Sequence, residues 1–282
     1  MTDPSLLPGE RIELPGRGTT FVRDLAGPPG APTVMLLHGL LATADLNWSG
    51  TYDALSQHVR VVAVDHRGHG QGIRSRGRFR LEDCADDAVA VGDMLGLRTF
   101  VPVGYSMGGL IAQLVWHRHS TRVDGLVLCA TSRNFRGHPR DRFMFGALAA
   151  ANVIARLTPA EVRRRLVERT LAGRVEGPEG EWAWSEFQRN DLVKMVEAAR
   201  ALGHYSSHHW IETVDVPTAV VVTTHDQLVP ARRQRKLAAS IPGATVHEVE
   251  GDHAVAVREP SAFVPVLVDA LLDVSSRMQA RV

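Results

Sequence analysis

The sequence is poor in lysine and lacks any strong excess of charge. Lys194 and Lys236 are the only lysines, so arginine supplies the rest of the positive charge. The 32 basic and 31 acidic residues nearly cancel and leave a formal net charge of +1. This balance gives no global electrostatic reason to expect a nucleic-acid partner. Two arginine runs, at residues 74–80 and 163–165, could hold phosphates, and solvated surfaces are the alternative.

Long apolar runs and cysteine are also scarce. No apolar run approaches the roughly 18 residues that cross a bilayer. Residues 1–10 lack the basic segment and apolar core of a secretory signal. Cys84 falls in a helical pattern and Cys129 in a strand pattern, so we expect two reduced packing residues rather than a disulfide. Together these features predict a cytoplasmic protein.

Common metal and dinucleotide motifs are missing. Neither C-x-x-C nor H-E-x-x-H occurs, and G-x-G-x-x-G is absent, so zinc and dinucleotide interpretations have no support. We therefore expect no cofactor. The 44% hydrophobic and 22% charged fractions are ordinary for a globular protein. A chain of 282 residues can bury one core and carry an inserted subdomain.

What the chain does contain is an alternation of short apolar runs and helix-length amphipathic segments. This pattern predicts an α/β fold with a mostly parallel central sheet of about eight strands and helices on both faces. Residues 11–24 predict a leading antiparallel hairpin. Further strands are predicted at residues 33–38, 59–65, 99–104, 125–130, 218–223 and 244–249. Helices are predicted at residues 81–95, 107–119, 232–239 and 261–274.

The alternation fails between residues 131 and 217, where helical patterns occur without a convincing strand. We therefore predict a helical cap at residues 132–214, inserted over the carboxyl ends of the strands. Residues 1–131 and 215–282 would then form the core domain. Within the cap, the sequence TPAE at residues 158–161 has the spacing of a capping box, with proline at the first helical position.

The sequence VGYSMGG at residues 103–109 places Ser106 between glycines, after a predicted strand and before a predicted helix. A sharp turn there would lift the serine hydroxyl above the sheet, and Gly104 and Gly108 would relieve crowding. The helix start would also supply free N–H groups. The context predicts a nucleophile, and a serine that only caps the helix is the alternative.

A serine hydroxyl needs a base, and the base needs an orienting partner. His253 follows the strand predicted at residues 244–249, at the end of the sheet where catalytic groups gather. Asp226 follows the strand predicted at residues 218–223, whereas Asp252 adjoins His253 and is awkwardly placed to approach its ring. A surface-loop histidine and a turn-capping aspartate are the alternatives.

Attack on an acyl carbonyl creates an oxyanion that needs two aimed donors. We predict the backbone N–H of Met107, next to the serine, and that of Leu40 in the loop HGLL. Gly39 is expected to permit a close backbone approach. We expect His38 to be a structural hydrogen bonder rather than a second base.

Four motifs occur in order along the whole chain: HGLL at 38–41, DHRGHG at 65–70, GYSMGG at 104–109, and the pair TTHDQLVP at 223–230 with GDHAV at 251–255. On these motifs the chain resembles the α/β-hydrolase superfamily, and within it serine esterases and lipases with a helical cap. The resemblance implies a triad of Ser106, Asp226 and His253, an oxyanion hole at Leu40 and Met107, and a cap over residues 132–214. It gives DHRGHG a structural role.

The chain departs from the family pattern at two places. Thr224 stands where a glycine is frequent, and Asp252 stands where a small residue usually precedes the histidine. The loop HGLL differs from the HGGG of hormone-sensitive-lipase-like enzymes and argues against that branch. Ser106 occupies the position of the aspartate nucleophile of haloalkane dehalogenases and argues against dehalogenation.

The expected reaction is hydrolysis of a small-molecule carboxylic ester with an apolar acyl group, through an acyl-enzyme. The apolar residues 143–157 could line an acyl pocket, make transient contact with a lipid surface, or pack on the core. Thioester hydrolysis, carbon–carbon bond hydrolysis and perhydrolysis use the same triad. A non-enzymatic ligand-binding protein is the alternative of another class. Four tryptophans could either line the pocket or pack at a domain interface: Trp48, Trp182, Trp184 and Trp210.

Overall fold

The computed structural model describes Leu6, residues 9–135 and residues 177–280. Within these residues eight strands are found: β1 Glu10–Leu14, β2 Gly18–Leu25, β3 Thr33–Leu37, β4 Arg60–Val64, β5 Val101–Tyr105, β6 Leu126–Cys129, β7 Thr218–Thr223 and β8 Thr245–Val249. They form one sheet in the spatial order β1-β2-β4-β3-β5-β6-β7-β8.

The sheet is mostly parallel, as predicted. Strand β1 pairs with β2, and β2 with β4, in antiparallel register. All other neighbouring strands are parallel. The leading hairpin is confirmed, and Gly16 and Gly18 have φ of 71° and 118° at its turn. Glycine adopts this left-handed region without the steric cost of a Cβ.

Nine helices occur in the described ranges: α1 Ala44–Trp48, α2 Tyr52–Ser56, α3 Leu81–Met94, α4 Met107–Arg118, α5 Gly177–Gln188, α6 Leu192–His204, α7 Ala231–Ala238, α8 Val255–Arg258 and α9 Pro260–Gln279. The predicted helices correspond to α3, α4, α7 and α9. The short helices α1, α2 and α8 were not predicted, because five residues or fewer show no helical periodicity. Within the described part of the chain, no helix is both long and apolar enough to cross a membrane.

Alternating strand side chains build two apolar layers, one on each face of the sheet. In β3, Val34 and Leu36 pack in the layer that contains α1, α2 and α9. Met35 and Leu37 pack in the layer that contains α3, α4 and α7. Because successive side chains of a strand point to opposite faces, a strand covered on both faces is apolar at every position. This explains the continuous apolar runs of the central strands and confirms the helices on both faces.

Both cysteines are buried and form no disulfide. Burial raises the pKa of the Cys84 and Cys129 thiols, which favours their neutral form. They are packing residues, as predicted.

Helices α5 and α6 lie in the segment predicted to form the cap. Asp191 caps α6, since its Oδ1 accepts from the N–H of Val193 at 2.9 Å. Lys194 of α6 donates to the carbonyl of Gly77, which ties this helix to the loop after β4. The predicted capping box at residues 158–161, the apolar residues 143–157 and the arginines at 163–165 lie outside the described residues.

The arginine run at residues 74–80 is mostly exposed, as a solvated loop would be. Arg74 donates to the carbonyls of Gly70 and Arg189, the second at 2.7 Å. Arg80 lies 3.6 Å from the carboxylate of Glu82. These contacts favour the alternative of a solvated surface over a phosphate site.

Candidate active site

Ser106 lies in the sharp turn between β5 and α4, with φ of 53° and ψ of −110°. Holding a non-glycine residue in this region costs roughly 1–3 kcal/mol, so neighbouring contacts must maintain it. The N–H of Ser106 donates to the carbonyl of Cys129 at 2.9 Å. Its carbonyl accepts from Thr131 Oγ1 at 2.8 Å. Both main-chain groups of the serine are therefore anchored to the end of β6.

The glycines that flank the serine are required by close backbone contacts. A Cβ added to Gly104 would lie 2.2 Å from the carbonyl oxygen of Gly108, and one added to Gly108 would lie 1.9 Å from that of Leu37. Gly39 differs, because a Cβ there would lie 3.5 Å from the nearest atoms, including Ser106 Cβ. A Cβ at Gly39 would therefore meet ordinary van der Waals contacts, and the close approach of its backbone to a bound oxyanion stays a prediction.

The structure brings Ser106, His253 and Asp226 into one chain of hydrogen bonds. His253 Nε2 lies 3.0 Å from Ser106 Oγ, and His253 Nδ1 lies 2.7 Å from Asp226 Oδ2. Because a carboxylate only accepts, Nδ1 carries the proton and Nε2 is left to accept from the serine hydroxyl. The Asp226 side chain is fully buried, whereas 21% of the His253 side chain is exposed.

The loops that carry Asp226 and His253 are joined beyond the strands. Past the ends of β7 and β8, the N–H of Thr224 donates to the carbonyl of Val249, and that of His225 to the carbonyl of Gly251, each at 3.0 Å. The parallel pairing thus continues into the two loops. This places Asp226 beside His253, as expected for residues at the carboxyl ends of neighbouring strands.

Tyr105, immediately before the serine, contacts His253 from the other side. Its hydroxyl donates to the carbonyl of His253 at 3.0 Å, and the two ring centroids lie 5.8 Å apart. Tyr105, the first x of the G-x-S-x-G motif, therefore contacts the loop that carries His253.

Every oxygen of the Asp226 carboxylate is hydrogen-bonded. Besides His253, its donors are the N–H of Leu228 at 2.9 Å, the N–H of Val229 at 2.8 Å, Thr223 Oγ1 at 2.8 Å and Gln234 Nε2 at 3.3 Å. Such donors stabilise the ionised form and offset the cost of burying it.

Asp252, the competing carboxylate, has other partners. One of its oxygens accepts from the N–H of Ala254 at 2.7 Å, and the other pairs with Arg258 at 3.0 Å. The structure therefore places Asp252 in a turn at the surface, and Asp226 against the imidazole.

The loop HGLL is fixed at both polar groups of Gly39. His38 Nε2 accepts from the N–H of His66 at 3.0 Å, so Nδ1 carries the proton and donates to the carbonyl of Gly39 at 2.8 Å. The N–H of Gly39 donates to Asn47 Oδ1 at 2.8 Å. In a trans peptide the carbonyl and the following N–H point in opposite directions. His38 thus determines where the N–H of Leu40 points.

The histidines of the two family motifs form a buried neutral cluster. The ring of His38 lies 4.3 Å from that of His66 and 5.3 Å from that of His69. Burial lowers the pKa of His66 to about 3 and that of His69 to about 4, and lowers the pKa of His38 well below its ordinary value. All three rings are therefore uncharged at neutral pH.

Asp65, which begins the DHRGHG motif, links two loops. Its carboxylate accepts from the N–H of Ala44 at 2.8 Å and from that of Gln71 at 2.7 Å. Burial raises the pKa of Asp65 to about 6. These contacts agree with the structural role expected for this motif.

Comparison with known proteins gives the family. The profile of the family described as alpha/beta hydrolase fold matches residues 32–260, most of the chain. The chain belongs to the α/β-hydrolase fold family. The resemblance to the α/β-hydrolase superfamily, drawn from the four sequence motifs, is thereby confirmed.

Relatives of this α/β-hydrolase match it along nearly its full length. The protein named “Putative carbamate hydrolase RutD” from Agrobacterium fabrum is 29% identical over 257 residues, 86% of this chain and 94% of that protein. The poly(3-hydroxyalkanoate) depolymerase of Ectopseudomonas oleovorans is 25% identical over 262 residues, 87% of this chain and 86% of that protein. The solved enol-lactonase of Burkholderia xenovorans LB400 has a TM-score of 0.76 and 25% identity, covering 93% of this chain and 100% of that chain.

The four tryptophans considered for the pocket differ in burial. Trp48 is fully buried against Tyr105 and Phe263, with ring centroids 6.0 and 6.4 Å away. Trp210 stacks on His117 with centroids 4.1 Å apart. In α5, the half-buried Trp184 stacks on its neighbour Phe187 at 5.4 Å, and Trp182 is also half-buried.

In the described ranges, no group of three or more His, Cys, Asp or Glu side chains is placed to hold a metal ion.

Sequence reasoning missed three buried polar residues around the site: Asn47, Thr223 and Gln234. Gln234 had a detectable signal, because it shares the buried side of α7 with Leu237 and Ala238 at helical spacing. A polar residue in an apolar stripe indicates a buried hydrogen-bonding role. Thr223 gave no such signal, since threonine is common in strands.

Proposed function

We propose that this protein is a serine hydrolase that cleaves carboxylic esters with apolar acyl groups through an acyl-enzyme on Ser106. The observation that carries the proposal is the chain of contacts from Ser106 Oγ to His253 at 3.0 Å and from His253 to Asp226 at 2.7 Å. Nucleophile, base and orienting carboxylate within hydrogen-bond reach are the arrangement that activates a serine.

In the first half of the reaction, Ser106 Oγ attacks the acyl carbon while His253 Nε2 takes its proton. The tetrahedral intermediate then collapses, the carbon–oxygen bond to the alcohol breaks, and Nε2 returns the proton to the leaving oxygen. Asp226, bound to Nδ1, stabilises the imidazolium. The products of this half are the free alcohol and an ester on Ser106.

In the second half, water replaces the alcohol. His253 Nε2 accepts a proton from the water as it attacks the acyl carbon, and the proton then returns to Ser106 Oγ. The carboxylic acid leaves and the serine is restored. No redox step or cofactor is required.

The oxyanion of both intermediates would be bound by the N–H groups of Leu40 and Met107. Met107 begins α4, and the first N–H groups of a helix have no acceptor within it. In the described part of the chain, the Leu40 N–H donates to no other group. Each such donor is worth about 3 kcal/mol in the transition state.

Apolar side chains beside the proposed site support an apolar acyl group. Leu41, next to the proposed donor, is 48% exposed, and Leu228, two residues after Asp226, is 70% exposed. We further propose that residues 132–214 form the cap that completes the pocket for a small-molecule ester, with no nucleic acid involved. Lipid contact through residues 143–157 remains a prediction.

The named relatives agree with attack on an acyl carbonyl. A lactone is a cyclic carboxylic ester, and the enol-lactonase matches this chain at 25% identity. A carbamate is attacked at the same kind of carbon, and the relative named for carbamate hydrolysis is 29% identical. A carbamate is therefore included as a second substrate class in the test.

The test is hydrolysis of p-nitrophenyl esters of increasing acyl length, compared with a p-nitrophenyl carbamate and an acyl-CoA. Ser106→Ala should lower kcat on the preferred ester by on the order of 10⁶. Ser56→Ala is the control, since among the described residues the Ser56 hydroxyl donates only to the carbonyl of Asp53, at 3.0 Å.

Equal activity of Ser106→Ala and the unmodified protein would overturn the proposal. Serine-dependent activity on the carbamate or the acyl-CoA alone would retain the triad and replace the ester. Absence of any cleavage would favour carbon–carbon bond hydrolysis, perhydrolysis or ligand binding.

A further inference from the structure

Two fully buried polar side chains contact Asp226 and take no part in the reaction steps described above. Thr223 is the last residue of β7, and Gln234 lies on α7; neither is exposed to solvent. Buried polar groups are retained where their hydrogen bonds are satisfied. Here the two side chains bind each other and the carboxylate of Asp226.

The orientation of the Gln234 amide is fixed by its neighbours. Its Oε1 accepts from the N–H of Thr223 at 3.0 Å, and its Nε2 donates to the carbonyl of Val229 at 2.7 Å. Turning the amide over would place its N–H₂ group against the N–H of Thr223 and its oxygen against the carbonyl oxygen of Val229. The Nε2 group must therefore face Thr223 Oγ1, which lies 2.7 Å away.

This orientation also fixes the Thr223 hydroxyl. Because Thr223 Oγ1 accepts from Gln234, its proton is directed to Asp226 Oδ2 at 2.8 Å. The same oxygen accepts from His253 Nδ1 at 2.7 Å. The hydrogen bonds run in one direction from Gln234 through Thr223 to the oxygen that holds the imidazole.

We infer that Thr223 and Gln234 form a positioning unit that sets both the place of Asp226 Oδ2 and the support it gives to protonated His253. This inference rests on the proposed function. A hydrogen bond donated to a carboxylate stabilises its charge, so less of that charge is left to stabilise a neighbouring imidazolium. Removing the Thr223 donor should strengthen the electrostatic stabilisation of protonated His253 by Asp226. It should also leave the position of the Asp226 carboxylate less well fixed.

The other groups around the base are identifiable. His253 faces Tyr105, Ser106 and Asp226, and the adjacent Asp252 is paired with Arg258. On the side of α7, Arg235 pairs with Glu248 at 2.7 Å, and Arg233 donates to Asn134. None of these pairs includes Thr223, so removing its hydroxyl leaves them intact.

The decisive comparison is Thr223→Val with Thr223→Ser. Valine keeps the shape and removes the hydroxyl, whereas serine keeps the hydroxyl. We expect Thr223→Val to lower kcat roughly tenfold with little change in KM. The pH profile of kcat/KM should shift to higher pH. Thr223→Ser should retain the kcat and profile of the unmodified protein.

A spectroscopic measurement tests the same unit without substrate. The proton on His253 Nδ1 should give a low-field resonance in the ¹H NMR spectrum, and this resonance should shift in Thr223→Val but not in Thr223→Ser. Gln234→Met, which removes the amide contacts to Thr223 and the longer one to Asp226 Oδ2, should shift it in the same direction by less. It also gives a second readout of the unit if Thr223→Val does not fold.

An unchanged pH profile together with an unchanged resonance in folded Thr223→Val would overturn the inference and leave the triad intact. Failure of the proposed function is a different result. In that case Ser106→Ala keeps full activity, while the resonance still reports whether Thr223 and Gln234 act on Asp226 and His253.

Discussion

Two regions of the site are held in place by different means. Around Ser106 the constraint is volume, because backbone atoms approach so closely at Gly104 and Gly108 that no Cβ fits. Around Asp226 the constraint is hydrogen bonding, because side chains and N–H groups converge on both carboxylate oxygens. The comparison predicts that the turn at Ser106 is disrupted when atoms are added. The loop that carries Asp226, called the acid loop below, is disrupted when hydrogen-bond donors or acceptors are removed.

The largest effect is expected at the turn. In Gly108→Ala the new Cβ would lie 1.9 Å from the carbonyl oxygen of Leu37, a backbone atom that cannot rotate away. We expect a loss of roughly 4 kcal/mol or more in the free energy of unfolding, measured by urea denaturation, together with loss of activity.

Gly77→Ala is the matched control, since its Cβ would lie 3.5 Å from the nearest atom, a side-chain oxygen. It should fold and retain activity. A stable and active Gly108→Ala would show that volume does not constrain the turn.

The acid loop should lose function while the fold persists. Asp226→Asn removes the charge that stabilises the imidazolium and presents an amide N–H₂ to hydrogen-bond donors, so kcat should fall by on the order of 10⁴. Asp252→Asn, adjacent to His253 but paired with Arg258, should stay close to the unmodified kcat. Comparable losses in both variants would remove the distinction between the two carboxylates.

The proposed oxyanion loop, residues 38–41, is held by hydrogen bonds at Gly39 and should respond less. Asn47→Ala removes the acceptor of the Gly39 N–H, which is buried at 2.8 Å from Asn47 Oδ1. We expect kcat to fall roughly tenfold to a hundredfold with KM nearly unchanged, because the loop acts on the transition state. Asn47→Asp, which keeps an oxygen there, should lose less. A rise in KM at constant kcat would argue against this role.

Both constraints were only partly visible in the sequence. The apolar runs predicted the strands, because a strand covered on both faces must be apolar throughout. The spacing of the GYSMGG motif placed Ser106 between β5 and α4, and the structure has it there. Strand ends predicted where Asp226 and His253 lie, since parallel strands end at the same edge.

The supporting side chains could not be predicted in the same way. Asn47 lies in α1, a helix of five residues that is too short to show a period. The partner of Thr223 lies 11 residues away on α7, and this pairing depends on how the helix packs against the sheet. Catalytic roles for these residues and the cap at residues 132–214 remain predictions.

The smallest effect concerns the buried histidines behind the oxyanion loop. In the folded protein burial holds the pKa of His69 at about 4, below its ordinary 6.5. The unfolded chain therefore binds a proton that the folded chain does not, and stability is lost as pH falls from 6.5 towards 4, by about 1.4 kcal/mol per pH unit. Asp65, with its pKa raised to about 6, has the opposite effect below pH 6.

Urea unfolding of His69→Gln at pH 7 and pH 5 checks this sign. The loss of stability between the two pH values should be smaller than in the unmodified protein by about 2 kcal/mol. An identical loss in both proteins would show that His69 does not contribute to the acid sensitivity.

The central claim is that Ser106 is an activated nucleophile. It is tested most directly by reaction with a fluorophosphonate, intact mass measurement and peptide mapping. We predict one adduct, located on Ser106, absent in Ser106→Ala and strongly slowed in His253→Ala. Absence of an adduct on the folded protein, or an adduct on another residue, would contradict the account.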